Sequence, residues 1–164
     1  MPQDDLRELY QDMILDHGKH PRNFRVLDPC DHQALGHNPL CGDRLVVFLK
    51  LGEDGRIEDA AFQGAGCAIA VASASLMTDM VRGASPEQAQ KLFNALHTLC
   101  TGGDAKAMLA DLTPDQQDRL HVLAGVQAYP VRVKCATLAW HALRAALASH
   151  TPVADEEYRV TTEE

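Results

Sequence analysis

No stretch of this sequence is apolar for long enough to span a bilayer, and no apolar h-region follows Met1-Pro2-Gln3-Asp4-Asp5. These two absences lead us to expect a cytoplasmic protein with no membrane association. Basic charge is also short, since 15 Lys and Arg against 23 Asp and Glu leave a formal net charge of −8. A phosphate backbone needs a positive surface, so nucleic acid is excluded as the main partner. The chain has no Gly-x-Gly-x-x-Gly fingerprint, no pair of Cys-x-x-Cys knuckles, no internal repeat and no sign of a second domain. It also lacks an even cysteine count. Five thiols cannot all pair within one chain, and in a reducing compartment they suit metal binding or catalysis better than a disulfide framework.

What is present describes a globular chain. An apolar content of 46% with 23% charged residues, over 164 residues, is enough for one domain with a real core. We expect that domain over residues 1–150. Residues 151–164 carry Asp155, Glu156, Glu157, Glu163 and Glu164 with little to bury, and are expected to form a disordered acidic tail.

Leu6, Leu9, Tyr10, Met13, Ile14 and His17 recur at three and four, which predicts a helix capped by Asp4 or Asp5 and ended by Gly18 and Pro21. A short strand is expected near Gln33–Gly36. Arg44–Leu51 and Ile57–Gln63 read as strands joined by Gly52-Glu53-Asp54-Gly55, with Ala60 and Phe62 on one face. Ala68–Arg82 is nearly apolar all round and should be a central, buried helix. Ser85-Pro86-Glu87-Gln88 is a capping box with proline at the first helical position, opening a helix to about Leu99. The polar stretch from Gly102 to Tyr129, with a second cap at Thr113-Pro114-Asp115-Gln116, predicts one or two short helices before a final helix from Val131 to Ser149. The class is α+β, a small antiparallel sheet of about three strands covered by helices.

Chemistry concentrates at three cysteines. Asn38-Pro39-Leu40-Cys41-Gly42-Asp43 places a thiol and a carboxylate two residues apart, on one side of an extended segment. Cys67 follows Gly64-Ala65-Gly66 and opens the buried helix. Cys135 is expected in or near the first turn of the last helix. Helix starts favour negative charge on sulfur, because free N–H groups and the positive dipole end lie there. An antiparallel hairpin would run Cys41 and Asp43 beside Gly64–Cys67. Three thiolates and a carboxylate suit tetrahedral zinc, and also a labile iron–sulfur cluster. Spacing alone does not bring them together, since 23 residues lie between Asp43 and Cys67 and 67 between Cys67 and Cys135. Cys30 and Cys100 read as loop and core residues, and His97 and His141 as helix residues without a ligand role.

Taken together, Asn38-Pro39-x-Cys41-Gly42-Asp43, Gly64-x-Gly66-Cys67-x-Ile69-x-x-Ala72-Ser73-Ala74-Ser75 and Lys134-Cys135-Ala136-Thr137-Leu138 resemble the U-type iron–sulfur assembly proteins. Asp16-His17 with Pro21-Arg22-Asn23 resembles that family's N-terminal signature, although Gly18 stands where an aromatic is common. The resemblance covers roughly residues 6 to 148. IscU-type scaffolds usually carry a histidine before the third cysteine, within a Leu-Pro-Pro-Val-Lys stretch. This chain has Lys134, and Ala128-Tyr129-Pro130-Val131-Arg132 in the corresponding stretch. Lys-Cys-Ala-Thr-Leu, an arginine three residues earlier (Arg132) and an inserted segment ahead of it make the chain more similar to the SufU type.

The resemblance implies an IscU-like fold with a helical insertion before the last helix. It implies a zinc-dependent sulfurtransferase partnering a SufS-type, PLP-dependent cysteine desulfurase and delivering to downstream Suf scaffold components. Cys41, Asp43, Cys67 and Cys135 would be the zinc ligands. A partner histidine would take over one zinc position and release the Cys41 thiolate to accept sulfur. Arg132 would steady negative charge near Cys41, or serve only as a surface residue at a helix start. The other function the resemblance allows is a scaffold that builds and passes on a transient [2Fe–2S] or [4Fe–4S] cluster.

Overall fold

Alternation along Asp43–Leu51 sends Leu45, Val47 and Leu49 to one side of a strand and Val46 and Phe48 to the other. The structure, a computed structural model describing residues 3–27, 32–38, 42–125, 130–148 and 159–161, makes this segment a central strand. The sheet runs in the order β3 (Ile57–Ala65), β2 (Asp43–Leu51), β1 (His32–Asn38) and β4 (Arg159–Thr161). The first three are antiparallel, as expected from the hairpin pattern. β4 is a three-residue addition, parallel to β1, from the segment expected to be a disordered tail. At Arg159–Thr161 that expectation is corrected. The edge of β1 presents unpaired backbone groups that a short segment with β-branched Val160 and Thr161 can satisfy. The remainder of 151–164 lies outside the described residues.

Among the described residues six helices accompany the sheet: α1 (Gln3–Lys19), α2 (Ala68–Val81), α3 (Pro86–Cys100), α4 (Lys106–Ala110), α5 (Pro114–Ala124) and α6 (Pro130–Ala148). α1 begins at Gln3, so Asp4 and Asp5 fall within its first turn rather than before it. α2 and α6 pack on the sheet face formed by Leu45, Val47, Leu49, Ala60 and Phe62. α2 also has α1 against it, which explains why the segment carries so few polar side chains. Ser85 and Thr113 form complete capping boxes with Gln88 and Gln116, each worth about 1 kcal/mol. α4 and α5 are the predicted helices of the insertion. Among the described residues no helix is long and apolar enough to cross a membrane.

The Pro21-Arg22-Asn23 turn closes the other side. Asn23 adopts the left-handed conformation at φ 61°, which asparagine tolerates better than most residues. Its Nδ2 donates to Thr78 Oγ1 and Asp79 Oδ1, both at 3.1 Å. Phe62 N donates to Asn23 O at 3.0 Å and Arg25 N to Phe62 O at 3.0 Å, so the turn covers the outer edge of β3. The family-like N-terminal signature thus fastens α2 to the sheet.

Candidate metal centre

The β1–β2 register sets Asn38 opposite Asp43, and the β2–β3 register sets Arg44 opposite Ala65. The end of β3 therefore arrives beside the start of β2, as the hairpin argument predicts, and two residues later the chain turns into α2 at Cys67. The close approach needs glycine. At Gly64, with φ +137°, a Cβ would lie 2.1 Å from Arg44 O, and at Gly66 a Cβ would lie 2.8 Å from Asp43 Oδ1. α6 crosses the same end of the sheet and brings in Cys135.

The result is a group of Asp43, Cys67 and Cys135 whose ligand atoms all lie within 4.8 Å of one another. Asp43 and Cys135 are fully buried, and Cys67 is half-buried. A buried carboxylate is costly unless its oxygens find donors. Here Cys67 N donates to Oδ1 at 2.8 Å and Asn38 Nδ2 to Oδ2 at 3.3 Å. Cys67 is the N-cap of α2, and its Sγ accepts from Ala70 N at 3.5 Å. Cys67 Sγ lies 3.9 Å from Asp43 Oδ2. Around a tetrahedral zinc, neighbouring S and O donors stand roughly 3.5–3.8 Å apart, so the set needs little adjustment to hold such an ion. Three electron-rich atoms converging in a buried space are also the chemistry that a divalent cation stabilises.

Three sequence expectations are adjusted or bounded here. Cys135 is the sixth residue of α6, just past the first turn in or near which it is expected. Its own N–H belongs to the helical ladder, and Asn38 Nδ2 donates to its sulfur at 3.5 Å. Cys41, with Pro39 and Leu40, lies outside the described residues. Arg132 is exposed, three residues before Cys135 in α6. Asn38 was not expected to have a role of its own. The signal available was a polar residue ending a strand directly before Pro39-Leu40-Cys41. Cys100 is a core residue as expected, and burial pushes its thiol up to about 11.

Residues 9–155 match the NifU-like N terminal domain. The chain is 39% identical over 142 residues to the iron-sulfur cluster assembly scaffold protein IscU of Streptococcus pyogenes serotype M1, covering 87% of this chain and 84% of that protein. It is equally 39% identical over 143 residues to the zinc-dependent sulfurtransferase SufU of Bacillus subtilis strain 168, covering 87% and 92%. A crystal structure of FiSufU, a SUF-system protein of Fervidobacterium islandicum AW-1, superposes with a TM-score of 0.75 at 25% identity, covering 86% of this chain and 98% of that one. The converging Asp43, Cys67 and Cys135 on a small sheet under helices, with these matches, define a U-type iron–sulfur assembly protein. The chain belongs to the NifU-like N-terminal domain family, within which its relatives include both IscU and SufU proteins.

Proposed function

We propose that this protein is a zinc-dependent sulfurtransferase of iron–sulfur cluster assembly. It would accept persulfide sulfur from a SufS-type, PLP-dependent cysteine desulfurase in the cytoplasm and pass it to downstream Suf scaffold components. The observation that carries the reading is Lys134 directly before Cys135, with helices α4 and α5 inserted ahead of α6. A lysine there withholds the imidazole that scaffold-type relatives offer beside their third cysteine. It leaves Cys41, Asp43, Cys67 and Cys135 as the residues that would hold zinc. Zinc supplies a redox-inert positive charge that keeps thiols as thiolates.

The chemistry assigned to the chain is a thiolate exchange. The Cys41 thiolate attacks the terminal sulfur of the desulfurase persulfide. A sulfur–sulfur bond forms on Cys41 as the donor's sulfur–sulfur bond breaks, and the electron pair leaves on the desulfurase thiolate. Electrons balance without an external oxidant or reductant. Arg132, exposed at the start of α6, is the proposed stabiliser of the charge on that sulfur.

The test is mass analysis of the intact protein after anaerobic incubation with desulfurase and cysteine, combined with metal analysis of the protein as purified. One zinc per chain and a one-sulfur increment on Cys41 are expected, with no stimulation of the desulfurase by Cys41→Ala. Full stimulation by Cys41→Ala would overturn the proposal. The scaffold reading draws on equal identity to a protein named as an IscU scaffold. It would be favoured by a coloured cluster, formed on reconstitution and transferred intact to an apo-protein.

A further inference from the structure

Asn38 ends β1 with no exposed surface and stands opposite Asp43 in the strand register. An amide this deeply buried needs hydrogen-bond partners, and packing alone would be served by leucine, which has nearly the same shape. Its Nδ2 spends its N–H groups on two members of the ligand group. It donates to Asp43 Oδ2 at 3.3 Å and to Cys135 Sγ at 3.5 Å. The other oxygen of Asp43 is held by Cys67 N at 2.8 Å. The carboxylate is therefore gripped at both oxygens, and the strand that carries it is tied through Asn38 to the sulfur on α6. Partial positive charge from the amide also offsets the mutual repulsion of a carboxylate and sulfurs lying within 4.8 Å.

We infer that Asn38 is a positioning residue for the ligand set. Its amide holds Asp43 and Cys135 close together before an ion arrives, and it occupies a lone pair of Cys135 so that this thiol serves as an anchor and not as a nucleophile. The inference rests on the metal-site reading above and adds to it how the ligands are arranged. Outer-shell donors of this kind typically change metal affinity by about 10- to 100-fold.

The experiment uses the full chain and zinc alone, with affinity read by competition against a chromophoric chelator. Wild type should bind one zinc, and Cys135→Ser should lose it. Asn38→Leu, which keeps the branched shape without the polar atoms, and Asn38→Ser, which offers a hydroxyl but not the reach, should each weaken zinc by about 10- to 100-fold. In the metal-free protein, alkylation of Cys135 should accelerate several-fold in both variants. Alkylation of Cys100, buried at the end of α3 and outside the group, should not change. If Asn38→Leu fails to fold, Asn38→Ser decides. Unchanged zinc affinity in a folded variant overturns the inference, and so does equal acceleration at Cys100, which would mean general loosening. If wild type and Cys135→Ser bind zinc alike, or neither binds, the metal-site reading itself fails and Asn38 falls with it.

Discussion

His17 Nδ1 lies 2.7 Å from Ser75 Oγ, a buried bond that joins α1 to α2 across 58 residues of sequence. Arg22 N donates to the same hydroxyl at 2.8 Å. One serine on the buried helix thus receives both halves of the N-terminal signature. The imidazole is only 6% exposed, and burial, followed by the nearby Arg22 charge, holds its pKa below the ordinary histidine value.

Acid should therefore destabilise this fold before its carboxylates titrate. His141, on α6, is pushed down to about 4 by burial, with the Arg144 and His97 charges adding to it. In the unfolded chain both histidines take up protons near their ordinary value, while in the folded chain they resist. The contribution is complete above about pH 6.5 and is lost as pH falls through that value toward the depressed folded ones. The urea midpoint of the metal-free protein should drop between about pH 7 and pH 5, less steeply in His141→Phe and in His17→Gln. A wild-type slope in both variants would show that neither histidine is the source.

Ser73 makes a second pin between buried helices. Its hydroxyl donates to Ala136 O and accepts from Trp140 Nε1 at 3.0 Å. Trp140 has no exposed surface, so Ser73→Ala strands an indole N–H away from water. The expected loss is about 1–3 kcal/mol, the cost of a buried unsatisfied donor. Denaturant unfolding at neutral pH checks it, with Ser85→Ala, which removes only a cap worth about 1 kcal/mol, as the comparison. Equal losses would mean that the indole finds another partner.

Much of this was legible in the sequence because it rested on local rules. Period two along Arg44–Leu51, the Gly52–Gly55 turn and the boxes at Ser85 and Thr113 each act within a few residues, and each element formed where its pattern placed it. Convergence of Asp43, Cys67 and Cys135 was not legible from spacing, because it depends on two strand registers and the path of α6. The recurring motifs supplied what spacing could not. Two features escaped because nothing local announces them. β4 forms through a vacant edge on β1, 124 residues earlier at the Gly36–Val160 pairing. Asn38 reads as a turn residue until the chain on either side of it is folded.

The two glycines at the site should fail in different ways. A methyl group at Gly64 meets the Arg44 carbonyl at 2.1 Å from a backbone at φ +137°, where neither partner can yield. Gly64→Ala should cost more than about 4 kcal/mol or prevent folding. At Gly66 the clash is with the Asp43 carboxylate, at 2.8 Å from Oδ1. Gly66→Ala should keep the fold at a cost of about 1–3 kcal/mol while zinc affinity falls by at least about tenfold, because the carboxylate is displaced. Thermal unfolding beside chelator competition separates the two. Wild-type zinc affinity in Gly66→Ala would show that Asp43 is not a ligand.

Arg132 offers the cleanest division between chemistry and stability. It is exposed, so Arg132→Ala should change unfolding free energy by no more than about 0.5 kcal/mol and leave zinc content alone. If its guanidinium steadies charge on the attacking sulfur, persulfide formation on Cys41 should slow by about tenfold, equivalent to about 1.4 kcal/mol at the transition state. Arg132→Lys keeps the charge without the planar fork, and should recover part of the rate. Added salt should slow wild type more than Arg132→Ala, since an exposed charge is screened within about 8–10 Å at physiological ionic strength. Rapid-quench mass analysis of the persulfide, at low and high salt, reads both effects. Equal rates for wild type and Arg132→Ala would leave Arg132 as a surface residue at the start of α6.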